Sequence, residues 1–121
     1  MKHLYTISHI EIPAPDFNRT VEFYTKVFNW NIELVTIDHY AFFTIGDTNS
    51  GGSFDSSLQP APEKTGPQLV ISCDSIEEAM LAVQKHGGTI ITEKTEISGN
   101  HGYYCVFQDP NKNFIQLHSR K

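Results

Sequence analysis

Apolar residues in this chain fall into short runs whose spacing switches between the period of a strand and that of a helix, and the whole alternation happens twice. Residues 4–12 alternate weakly between apolar and polar, as a strand does, and stop at Pro13-Ala14-Pro15, where proline removes backbone donors. Phe17, Val21, Tyr24 and Phe28 then recur at helical spacing, which predicts an amphipathic helix over 16–29 with Asp16 as its cap. Residues 31–36 and 39–45 are rich in β-branched and aromatic side chains and predict two strands. Residues 46–50 read as a turn, and Gly51–Asp55 as a short fourth strand. The stretch 56–67 is polar, carries three prolines, and reads as a linker.

The order then begins again. Residues 68–73 are strand-like. Ser75-Ile76-Glu77-Glu78 matches a capping box, in which serine and glutamate satisfy each other's orphan backbone donors. Ile76, Ala79, Met80 and Val83 form the buried stripe of the helix that follows, and Gly87-Gly88 ends it. Residues 89–97, 103–108 and 114–118 predict three more strands, with Asp109-Pro110-Asn111-Lys112-Asn113 turning the chain between the last two. The chain therefore reads as one α+β domain over 1–121, built of two tandem βαβββ modules at about 4–55 and 68–118.

Composition narrows the partners. In 121 residues, 39% are hydrophobic and the formal net charge is −5, with basic residues scattered singly except for the adjacent Arg120-Lys121. No basic patch exists to displace counterions, which excludes non-specific binding to nucleic acid or an anionic membrane. No apolar run approaches the length of a bilayer span, and the N-terminus lacks the apolar stretch of a signal peptide. Cys73 and Cys105 stand among apolar neighbours without metal-ligand spacing and read as reduced, buried thiols. A cytoplasmic protein is expected.

The segment His9-Ile10-Glu11-Ile12-Pro13-Ala14-Pro15-Asp16, followed by Val21-Glu22-Phe23-Tyr24-Thr25-Lys26-Val27-Phe28-Asn29-Trp30, resembles the opening of the first module of the vicinal-oxygen-chelate superfamily: glyoxalase I, bleomycin-resistance proteins and extradiol dioxygenases. Asn29 takes a place where glycine is usual. The second module is similar at Ser72-Cys73-Asp74-Ser75-Ile76-Glu77-Glu78-Ala79, at Gly87-Gly88-Thr89, and at Val106-Phe107-Gln108-Asp109-Pro110-Asn111-Lys112-Asn113-Phe114, where Lys112 fills a glycine slot. The resemblance implies an open, strongly twisted, cup-shaped mixed sheet with its helices on the outer face. It also implies a small-molecule ligand in the cup and, in glyoxalase-type members, a homodimer that completes it.

Strand alternation says what the cup would hold, because residues two apart share a face. His9 and Glu11 lie opposite Ile10 and Ile12. Gly51, Ser53 and Asp55 share a face, as do Gln68, Val70 and Ser72, and as do Phe114, Gln116 and His118. The candidate ligand-binding set is His9, Glu11, Ser53, Gln68, Gln116 and His118. Metal-dependent relatives hold a divalent ion with one residue from each of four such strands, and the resemblance places that set at His9, Ser53, Gln68 and Gln116. The family pattern has histidine at the position of Gln68 and glutamate at those of Ser53 and Gln116. Without either carboxylate the set is degenerate, since neutral amides and hydroxyls bind such ions weakly. No cofactor is expected, against an alternative in which Zn, Ni, Mn or Fe is held, with Asp55, Glu11 or His118 rescuing a displaced site. The two-histidine, one-carboxylate triad of an iron dioxygenase is also missing.

Three functions stay open: a metal-dependent lyase or isomerase of glyoxalase type, an antibiotic-sequestering binder without turnover, and a metal-free enzyme in which Glu11 and His9 do acid–base work. Missing ligands favour the last two.

Overall fold

The computed structural model describes residues 5–46 and 50–121. Its elements run β1 (Ile10–Pro13), α1 (Phe17–Phe28), β2 (Asn31–Leu34), β3 (Tyr40–Thr44), β4 (Gly51–Asp55), β5 (Leu69–Ser72), α2 (Ile76–Lys85), β6 (Thr89–Glu96), β7 (Tyr103–Gln108) and β8 (Phe114–Ser119). They form two four-stranded mixed sheets of identical topology, β1-β4-β3-β2 and β5-β8-β7-β6, in which the first pair is parallel and the rest antiparallel. Each sheet is one βαβββ module, so the repeat in the sequence is a repeat in space.

Local chemistry explains most boundaries. Gly52 allows β4 to lie tightly between its neighbours, because a Cβ there would collide with the Ile10 carbonyl. In α2, the Ser75 hydroxyl accepts the Glu78 backbone N–H at 3.2 Å. Asp16 takes the N-cap position of α1, but its side chain makes no capping bond. Asn29 closes α1 at φ 56°, the left-handed geometry asparagine tolerates better than most residues.

Several boundaries differ from the pattern-based expectation. β1 starts at Ile10, and Tyr5 to His9 are exposed with no ladder partner; Leu4 and the turn residues Asp47, Thr48 and Asn49 lie outside the described residues. Pro13 belongs to β1 rather than breaking it. It sits at the strand's end opposite Asp55, where its missing N–H costs no bond and Ala14 N–H donates to the Asp55 carbonyl instead. β2 stops at Leu34, because the Thr36 hydroxyl accepts the His39 and Tyr40 backbone N–H groups and turns the chain.

One core serves both modules. From the first come Ile12, Tyr24, Trp30, Phe43 and Phe54; from the second come Ile76, Val83, Cys105, Phe107 and Leu117. Stacked rings run from Tyr24 to Trp30 (5.0 Å between centroids) and on to Phe43 (4.7 Å). Phe23 and Phe28 then reach Phe107 of the other module at 6.0 and 5.9 Å. Burial raises the Cys105 thiol to about 11, so it is a packing group rather than a nucleophile.

A buried polar knot joins the modules beside this core. The Asp109 carboxylate accepts the Tyr24 phenol at 2.8 Å, the backbone N–H groups of Asn111 and Asn113 at 2.9 and 3.0 Å, and the Asn113 amide at 2.9 Å. Asn113 also donates to the Pro13 carbonyl at 2.7 Å. The Asn111 side chain accepts Asp16 N–H at 2.6 Å and donates to the Thr20 hydroxyl. The turn between β7 and β8 thus ties the end of β1 and the start of α1 to the second sheet.

Candidate functional site

On the face of the first sheet away from the core, three of the expected residues form a chain of contacts. Register places Glu11 and Phe42 on either side of Ser53. The Ser53 hydroxyl, fully buried, donates to the Glu11 carboxylate at 3.4 Å and lies 3.0 Å from Nε2 of His9. With the serine proton directed at Glu11, the serine oxygen accepts from His9, whose Nε2 then carries a proton. His9 meets the ring of Phe42 edge-on at 6.2 Å, and Phe42 in turn packs edge-on against Tyr40 at 5.3 Å. Phe42 is 44% exposed, so an aromatic wall stands open beside the polar trio.

The second sheet presents a matching face. Val70, Gln116 and Val106 stand abreast, and His118 lies between Ser72 and Tyr104. Val70, Ile97, Tyr104, Gln116 and His118 line a concavity of about 510 Å³. The His118 Nε2–H donates to the His101 carbonyl at 2.7 Å, which fixes the ring against the β6–β7 hairpin. The opposite residues of the same strands, Leu69, Ile71, Ile115 and Leu117, pack into the core, as the alternation predicts.

Gln68 stands apart from both groups. It precedes β5, is exposed, and donates its amide to the Gly66 carbonyl at 3.0 Å. Asp55, a fallback ligand on sequence grounds, is also engaged. Its Oδ1 accepts both the side-chain hydroxyl and the backbone N–H of Ser57, at 2.6 and 2.8 Å, and these bonds hold its carboxyl below the usual range. The expected six residues therefore divide into His9, Glu11 and Ser53 on one sheet, Gln116 and His118 on the other, and Gln68 at the linker. The aromatic wall of half-buried Tyr40 and exposed Phe42 was not separable from core aromatics by sequence; its one signal is alternation with buried Ala41 and Phe43.

Two such modules, each with a polar outer face on a four-stranded sheet, define a protein of the vicinal-oxygen-chelate class. The chain belongs to the Glyoxalase/Bleomycin resistance protein/Dioxygenase superfamily, which matches residues 6–117. It is 26% identical over 113 residues to a glyoxylase-like domain-containing protein of Didymella fabae, covering 88% of each chain. Its fold is similar to that of a glyoxalase/bleomycin resistance protein/dioxygenase family enzyme from Burkholderia phytofirmans PsJN, with TM-score 0.75, 18% identity and 94% and 98% of the two chains covered. It is also similar to the fosfomycin resistance protein FosX of Listeria monocytogenes, with TM-score 0.75, 20% identity and coverage of 97% and 94%. A variant of that FosX was solved with Mn(II) and 1S,2S-dihydroxypropylphosphonic acid; it superposes with TM-score 0.78 at 18% identity, covering 97% and 91% of the chains.

At the four positions that the resemblance assigns to a metal, the donor chemistry does not suit a resident divalent ion. His9, Ser53, Gln68 and Gln116 offer one imidazole, one hydroxyl and two amides, with no anionic donor to offset the charge. The imidazole nitrogen and the hydroxyl are bonded to each other, and the amide nitrogen of Gln68 to its own loop. Among the described residues, no three His, Cys, Asp or Glu side chains cluster closely enough to hold a metal.

Proposed function

We propose that this protein binds a small polar molecule against the His9–Ser53–Glu11 face without a resident metal, and that Glu11 and His9 carry out proton transfer there. The observation that carries this reading is the contact chain itself: Ser53 replaces the family carboxylate and links the imidazole to Glu11. With Nε2 protonated, Nδ1 of His9 and the outer oxygen of Glu11 are the groups able to take a proton. A carboxylate beside an imidazole suits removal and return of a proton next to a carbonyl, the chemistry of a glyoxalase-like lyase or isomerase. Antibiotic sequestration uses the same face and differs only in the absence of turnover.

We further propose that the ligand is enclosed by a second copy of the chain. Phe42, and Val70 at 50% exposure, leave apolar surface open on the two sheets, next to the polar groups. A homodimer that sets one sheet face against another covers both. Among the described residues no helix is long and apolar enough to cross a membrane, and net charge opposes nucleic-acid binding, in keeping with a cytoplasmic location.

The first test is metal content after purification without tag or chelator, then after incubation with zinc, nickel, manganese and ferrous iron. The expected result is no stoichiometric metal, and ligands found by thermal shift that lose their effect in His9→Ala. One metal per site, lost on that substitution, overturns the reading in favour of the metal-dependent lyase. Sedimentation tests the dimer.

A further inference from the structure

A second cavity, of about 510 Å³, lies where the two modules meet and touches the hydrogen-bonded trio only at Glu11. Its walls come from β1 (Ile10 and Ile12) and from Leu69, Phe114 and Ile115 of the other module. Its roof is the linker, through Ala61, Pro62 and Pro67. Prolines fix that roof with little conformational freedom to lose on binding, and the volume falls within the usual range for small-molecule sites.

Among the described residues lining it, Glu11 is the one ionisable side chain. Most donors nearby are already engaged: the Asn113 amide by Pro13 and Asp109, the Thr65 hydroxyl by the Glu63 carbonyl, and the Gln68 amide by Gly66. What remains for a ligand is one carboxylate and the exposed Gln59 amide, which both donates and accepts, at the rim of a largely apolar enclosure. The one charge such a site offers is negative, so it asks its ligand to bring the positive charge.

We infer that the cavity is a binding site for a small primary amine with an apolar body, its ammonium paired with Glu11 and its body held between β1 and the linker. This site is separate from the polar-ligand face and shares only Glu11 with it, which places the two ligands within reach of one carboxylate.

Benzylamine is the probe, with toluene and benzoate as controls matched in shape. Titration followed by amide NMR should show saturable binding at about millimolar affinity or tighter, with shifts at Ile10, Leu69 and Ala61. Glu11→Gln should weaken it by about tenfold or more, as expected for loss of a charged hydrogen bond. Ala61→Trp, on an exposed linker residue, should fill the cavity and abolish binding, with Thr65→Trp as a second filling variant should the first disturb the fold. Neither filling change should affect a polar ligand that depends on His9, and His9→Ala should leave benzylamine bound. Absence of saturable binding, equal binding of toluene or benzoate, or shifts that survive both filling variants overturns the inference. Loss of polar-ligand binding in His9→Ala reports on the other site and leaves this one standing.

Discussion

The phenol of Tyr24, in the helix of the first module, donates a 2.8 Å hydrogen bond to the Asp109 carboxylate in the last turn of the second. Both groups are buried. Tyr24→Phe removes one donor and leaves the carboxylate with its three bonds from Asn111 and Asn113. The expected loss is about 1–3 kcal/mol in a urea titration. A change near zero would mean that the bond does not contribute to joining the modules.

Asp109 also predicts a pH dependence. Burial pushes its carboxyl above the ordinary range, against the hydrogen bonds from Asn113 and Tyr24 that pull it down. A group with a raised folded pKa keeps its proton longer in the folded chain. Its stabilisation is therefore complete below the ordinary carboxylate value and is lost as pH rises through the raised one. Asp109→Asn has no such step. The stability gap between the natural protein and Asp109→Asn should be widest near about pH 3 and narrow towards about pH 7. Urea midpoints at several pH values measure this, and a gap that widens with pH contradicts it.

Lys112 sits at φ 71° in the turn that carries Asp109. A side chain in this left-handed region is strained, whereas glycine is not. Lys112→Gly should stabilise the protein by about 0.5–1 kcal/mol, read as a rise in melting temperature. No gain would show that the lysine side chain makes up for its backbone.

Adjacent residues of β8 should respond in opposite ways. Leu117 is fully buried, so Leu117→Ala should cost about 2–5 kcal/mol. Gln116 lines the open concavity, so Gln116→Ala should change stability by less than about 0.5 kcal/mol. Chemical denaturation of the two variants side by side makes the comparison, and reversed costs would mean that the strand faces are inverted.

Restoring the family's donors tests why a metal does not fit. The triple variant Ser53→Glu, Gln68→His, Gln116→Glu supplies two carboxylates and a second imidazole. It should gain a metal-dependent rise in melting temperature that a chelator reverses, whereas the natural protein should not respond to the chelator. If the triple variant also ignores metal, backbone placement rather than donor chemistry is what stands in the way.

Local signals were readable and long-range ones were not. Alternation alone assigned the inner and outer faces of β1, β5 and β8, because a half-buried strand has only two faces to choose between. The two departures from the family's glycines, Asn29 and Lys112, are both residues at positive φ. The short β1 was not readable: residues 5–9 keep strand-like alternation but have no partner strand, and pairing, not pattern, makes a strand. At the candidate site, faces put His9 and Glu11 together and repeat alignment added Ser53. The bonds from Ser57 to Asp55 and from Gln68 to Gly66 each span only two positions, local turn contacts that strand alternation does not report. The Tyr24–Asp109 bond spans 85 positions and carries no short motif.

The aromatic run from Trp30 through Tyr24 and Phe23 to Phe107 has a consequence for how such a chain can be divided. A tandem repeat suggests two halves that could each live alone. Here either half would open its share of a common interior to water, and the first would also lose the carboxylate that receives its buried phenol. Scission in the proline linker would yield two incomplete fragments that need each other to fold. Heating the intact chain should melt it in a single step rather than one repeat at a time.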